Sequence, residues 1–78
     1  MKPYHVKAEW DAEAAVWVAS SEDVPGLATG ADSFEALIEK LKTVVPELLE
    51  ENGLIAAGTQ AIPFIVTAER SENAYRAA

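Results

Sequence analysis

Apolar and polar side chains alternate from residue 3 to residue 10. Tyr4, Val6, Ala8 and Trp10 fall on one side, and His5, Lys7 and Glu9 on the other. A period of two over that length predicts a half-buried β-strand. Asp11, Ala12 and Glu13 predict a hairpin turn, although the Asn-Gly type of turn signal is missing. Residues 14–20 predict a second strand that is apolar on both faces, with Val16 and Val18 on one side and Ala15, Trp17 and Ala19 on the other. Pro25-Gly26 then breaks the chain, and residues 27–31 predict a short third strand.

The period then changes to that of a helix. Phe34, Leu37, Ile38, Leu41, Val44, Val45, Leu48 and Leu49 recur at i, i+3, i+4 and i+7 through four turns. The start falls at Asp32 or Ser33, and Asp32 with Glu35 has the spacing of a capping box. Asn52-Gly53 is a suitable stop, since both residues accept the left-handed conformation. Pro46 lies inside the pattern, where a proline removes one hydrogen bond and crowds the preceding turn. The apolar stripe stays in register past it, which predicts one helix kinked at Pro46 rather than a chain broken into two shorter helices. After a loop around Gly58, residues 61–68 predict a last strand with Ile62, Phe64 and Val66 on one face and Pro63, Ile65 and Thr67 on the other. Pro63 cannot donate to a ladder, so this strand is expected at an edge, or with Pro63 near its start.

The order strand–strand–strand–helix–strand predicts an α+β fold: a small, antiparallel-rich sheet with one long helix packed on one face. Seventy-eight residues allow one domain, predicted here over residues 3–69 with a polar tail at 70–78 that fits a frayed end or a short helix. A chain this short buries only about 60% of its unfolded surface, so its stability is expected to be marginal. Cysteine is absent from the sequence, which rules out disulfides and thiolate metal sites and fits a reducing compartment. The first residues do not lead into an apolar signal segment. No apolar run approaches the roughly 20 residues of a membrane helix. A cytoplasmic protein that does not engage membranes is the expectation.

Six Lys and Arg stand against thirteen Asp and Glu, for a net charge of −7. Binding to nucleic acid phosphates needs clustered cations, so direct nucleic acid binding is not expected. Along the helix Asp32, Glu35, Glu39, Glu47, Glu50 and Glu51 face only Lys40 and Lys42. Glu35–Glu39 and Glu47–Glu51 are like-charge pairs at i,i+4, and Glu39–Lys42 is the evident favourable pair. Such a surface either keeps the protein soluble or meets a basic partner that supplies the missing cations.

The catalytic inventory is thin. His5 is the lone histidine and falls on the polar side of the first strand. No His or Cys cluster has metal-ligand spacing, and Gly26, Gly30, Gly53 and Gly58 form no phosphate loop. The acid pairs Glu22–Asp23 and Glu50–Glu51 read as solvated surface. No catalytic residue, cofactor or metal is therefore assigned, and the protein is not expected to be an enzyme. One helix can cover one face of the sheet. With Val16, Val18, Ile62, Phe64 and Val66 beneath it, Trp17, Ala15, Ala19 and Ile65 would project from the open face. An apolar patch holding a Trp marks an interface. The candidate partner interface is thus Trp17 and Ile65 for apolar contact, with Glu35, Glu39 and Glu47 for charge.

The run Trp17-Val18-Ala19, Ser20-Ser21-Glu22-Asp23 and Val24-Pro25-Gly26-Leu27, followed by Ala28-Thr29-Gly30-Ala31-Asp32, Pro46-Glu47-Leu48-Leu49 and Asn52-Gly53, resembles the HicB antitoxin family. It is most similar to the short stand-alone branch of undefined function, over roughly residues 3–69. The resemblance implies a partly degenerate RNase H-like sheet without nuclease chemistry. It also implies binding to a small basic HicA-like toxin that cleaves mRNA, masking its active surface, and self-association as a homodimer or higher homo-oligomer. Many family members add a C-terminal DNA-binding module, for which residues 70–78 leave no room in this sequence. The alternative is an orphan structural or regulatory domain that only self-associates.

Overall fold

Residues 2–77 are described by a computed structural model. The elements run β1 (Tyr4–Asp11), β2 (Val16–Ser20), β3 (Thr29–Ala31), α1 (Phe34–Glu51) and β4 (Phe64–Glu69). The strands form one mixed sheet in the order β3-β2-β1-β4. β2 is antiparallel to both of its neighbours, whereas β4 runs parallel to β1. The element order and the α+β class follow the alternation and the helical stripe. β4 is an edge strand, and Pro63 precedes it. The Pro63 carbonyl accepts from the Tyr4 N–H at 3.0 Å and so opens the parallel ladder.

α1 is a single helix that continues through Pro46. Its stripe buries Leu37, Leu41, Val45 and Leu49 completely. Complete burial of a Val or Leu side chain is worth about 1.5–3 kcal/mol, so these four contribute about 6–12 kcal/mol as an upper bound. Beneath them lie Val6, Ala8 and Ala19, with Val24 and Leu27 closing one end. Ala8 and Ala19 are register partners, and two methyl side chains side by side let the helix approach the sheet closely. The helix backbone lies nearest β3 and β2, so Phe64 and Val66 on β4 are only half-buried.

Both helix ends are capped. The N-cap is Ser33, whose Oγ accepts from the Ala36 N–H at 3.1 Å. Asp32 and Ser33 are both good caps, and the chain enters the helix one residue later than the Asp32–Glu35 spacing predicts. At the other end Gly53 has φ +69°. Its N–H donates to Glu50 O at 3.0 Å, and the Leu54 N–H donates to Leu49 O at 2.9 Å. These two bonds make a Schellman motif. The Asn52 side-chain amide adds a bond to Leu48 O at 2.8 Å.

β2 turns the opposite faces to those its sequence predicts. Register pairs Trp10 with Trp17 and Ala8 with Ala19, and residues opposite one another share a face. Trp17 and Ala19 therefore lie under the helix, with Ala19 buried, while Val18 is 40% exposed on the open face. Val16 is on that open face too. The tail has no helix: residues 70–77 carry no regular structure, and Ala78 lies outside the described residues.

The β1–β2 loop is held by Asp11, whose Oδ1 accepts from the N–H groups of Glu13 and Ala14 at 3.1 and 3.2 Å. Ala15 closes it at φ 55°. A left-handed conformation costs an L-residue roughly 1–2 kcal/mol, and glycine avoids that cost while losing more entropy on folding. Ala15→Gly is expected to stabilise the fold by about 0.5–1 kcal/mol in urea unfolding. A loss of stability would contradict the loop geometry.

Candidate protein-interaction surfaces

The outer side of α1 carries Glu35, Glu39, Glu47, Glu50 and Glu51, all exposed. Of the two helix lysines, Lys42 pairs with Glu39 at 2.9 Å. Lys40 is turned away from the acids, and its Nζ donates to the Gly30 carbonyl on β3 at 2.6 Å. The last helical turn holds Glu50 and Glu51 and no basic residue, although the helix dipole disfavours anions there by a few tenths of a kcal/mol, roughly. The three predicted acids Glu35, Glu39 and Glu47 thus share one surface, and a single lysine neutralises part of it.

The open face of the sheet is mixed. Val18 and Ile65 are 40% and 45% exposed, with His5, Lys7, Glu9, Thr67 and Glu69 alternating around them. Lys7 pairs with Glu9 at 3.1 Å. The hydrogen bond and charge of Glu9, followed by the charge of Glu69, raise the Lys7 ammonium above the usual lysine pKa. The pair is solvent-exposed and contributes little to stability.

Trp17 is not part of this face. Its ring meets Trp10 edge-on at 5.5 Å between centroids and Phe34 of α1 at 5.7 Å. The Arg70 guanidinium caps the row, 4.2 Å from the Trp10 ring centroid. The predicted interface set is therefore divided among three places. Ile65 lies on the open face, the acids lie on the back of the helix, and Trp17 is held between the two layers.

Sequence reasoning missed a clamp at the end of β2. Past Ser20 the β2 strand is finished, yet β1 continues to Tyr4. Side chains replace the missing strand. Ser21 Oγ donates to His5 O at 2.5 Å and accepts from the N–H groups of Asp23 and Val24 at 3.0 and 3.1 Å. Asp23 Oδ2 accepts from the His5 N–H at 2.8 Å. Asp23 is thus structural as well as solvated, and the Ser-x-Asp spacing after a strand is the signal that carries it. The Leu27 N–H then bonds Val24 O at 3.2 Å across Pro25-Gly26, with Gly26 at φ +83°, as a type II turn requires.

Among the described residues no group of three or more His, Cys, Asp or Glu is placed to hold a metal ion. No helix there is long and apolar enough to cross a membrane.

The fold defines a small α+β domain with one helix on a four-stranded mixed sheet, an acidic helix back and an open sheet face. A family described as a domain of unknown function, DUF1902, matches residues 3–76, and the chain belongs to that family. Hypothetical protein TTHA1013 from the extremely thermophilic bacterium Thermus thermophilus, solved as a crystal structure, is 45% identical. The match covers 96% of this chain and 100% of that one, with a TM-score of 0.71. No curated protein matches this chain.

The division of the site gives a direct test. Trp17→Ala is expected to cost about 2–4 kcal/mol of folding stability, because the ring fills space between the layers. Ile65→Ser should stay within about 0.5 kcal/mol, as surface changes do. Thermal unfolding of both variants checks this, and equal melting points for Trp17→Ala and the parent would contradict the placement.

Proposed function

We propose that this domain is a HicB-like antitoxin module that binds and occludes a small basic HicA-type mRNA-cleaving toxin in the cytoplasm. The observation that carries the reading is the acidic back of α1. Glu35, Glu39, Glu47, Glu50 and Glu51 are exposed, Lys42 pairs with one of them, and Lys40 is engaged with a backbone carbonyl. A ribonuclease grips RNA with Lys and Arg set against phosphates. A rigid row of carboxylates competes for those same cations, so covering them blocks the substrate without any chemistry from the antitoxin. Each exposed pair is weak, and the row acts chiefly by steering the encounter and selecting a basic partner. The element order and the Trp17-to-Gly53 motif run support the family part of the reading.

The experiment is to look beside this gene for a reading frame of a small basic protein and to co-express the two. Growth arrest by the neighbour alone, relieved by this protein with co-purification, is the expected result. Glu35→Lys/Glu39→Lys should weaken the complex by about tenfold and flatten its salt dependence. Unchanged affinity and salt slope would remove the helix back as the docking surface. If no such neighbour exists, or it is harmless or does not associate, the reading as an orphan self-associating domain takes its place.

A further inference from the structure

The chain beyond β4 runs out of the body. The domain has principal extents of 59 × 22 × 18 Å and a radius of gyration of 15.0 Å, against about 11.5 Å for a compact chain of this length. Residues 67–77 are all exposed, and Tyr75 is 87% exposed. β4 is at the sheet edge, so one side of its backbone has no strand partner. An unpaired edge that continues into an extended arm is a template for another strand. The family match extends to residue 76, so the arm lies within the matched region.

The geometry points to a second copy of this chain as the occupant. β4 and its arm pair antiparallel with the β4 and arm of the partner, about a two-fold axis at Ser71, joining two four-stranded sheets into one. A two-fold axis perpendicular to a sheet places like faces together, so each residue must meet one of the same parity. Centring on Ser71 sets Arg70 opposite Glu72 of the second copy, on both sides of the axis. Centring on Glu69, Arg70 or Glu72 would instead set like charges against each other, which is destabilising. The Ser71 register also sets Thr67 opposite Tyr75. The Tyr75 ring is then diagonal to Ile65, within reach of an aromatic side chain. Two exposed apolar groups of each copy, Ile65 at 45% and Tyr75 at 87%, would cover one another. Within one chain Arg70 Nε and Glu72 Oε2 are 2.5 Å apart, and in the dimer each exchanges this neighbour on its own strand for the same group across the axis. This self-pairing leaves the back of α1 free and does not depend on toxin binding.

Sedimentation of the full chain tests it, with single-cysteine variants to fix the register, since the parent has no cysteine. A concentration-dependent dimer is expected. Glu72→Arg sets Arg70 against a like charge and should raise the dimer dissociation constant by about tenfold; Arg70→Glu/Glu72→Arg should recover most of that loss. Under mild oxidation Ser71→Cys should cross-link to its own copy, because opposed residues of an antiparallel pair lie within disulfide reach. Asn73→Cys should not, since it faces Glu69 of the second copy. A monomer at every concentration would overturn the proposal and leave the edge to a different protein. Faster cross-linking of Asn73→Cys than of Ser71→Cys would overturn the register.

Discussion

A single helix covering a single face of the sheet is the constraint on which the rest of this molecule depends. Leu37, Leu41, Val45 and Leu49 have one surface to bury against, and Val6, Ala8 and Ala19 provide it. The small Ala8–Ala19 pair sets how closely α1 can lie. Larger side chains there would lift the helix and open the aromatic row of Trp10, Trp17 and Phe34 beside it. With one layer of helix, the second sheet face and the β4 edge remain exposed. The surfaces offered to partners are thus a consequence of how the core is closed.

Short connections hold that arrangement in place. Ser21 and Asp23 satisfy both backbone groups of His5 where β2 has stopped. The turn through Pro25 and Gly26 then brings Val24 and Leu27 into the core. Asn52 and Gly53 end the helix and direct the chain toward β4. Gly30 is constrained more tightly, since a Cβ there would stand 3.0 Å from the Trp17 carbonyl oxygen. Each of these positions is a local backbone requirement whose effect is to keep the helix over β2 and β3.

The sequence was legible where one face was polar. β1 alternates cleanly, so its buried side was evident, and the four-turn stripe of α1 survives Pro46 because the proline lies away from its centre. The stop at Asn52-Gly53 and the edge position of β4 followed from backbone chemistry. β2 was illegible because Val16, Trp17, Val18 and Ala19 are apolar on both sides. Alternation then carries no polarity, and hairpin pairing with β1 is what turns Trp17 inward. The same turn removed Trp17 from the candidate interface, while Ile65 and the three helix acids stayed exposed where the pattern had put them. The clamp at Ser21 and Asp23 was hidden by its composition, since two acids and a serine in a loop read as solvated surface.

Charge separates the arm after β4 from the back of α1. On the arm after β4 Arg70 and Glu72 balance one another, whereas on the back of α1 five exposed acids have one lysine, Lys42, paired among them. The most direct test is a titration of the isotopically labelled protein with a small basic HicA-type toxin, followed residue by residue in amide spectra. Shifts concentrated on the exposed side of α1, at Glu35, Glu39 and Glu47, with the Val6 and Ala8 amides unmoved, are the expected result. Shifts confined to the open sheet face around Val18 and Ile65, or none at all, would contradict docking through the helix back.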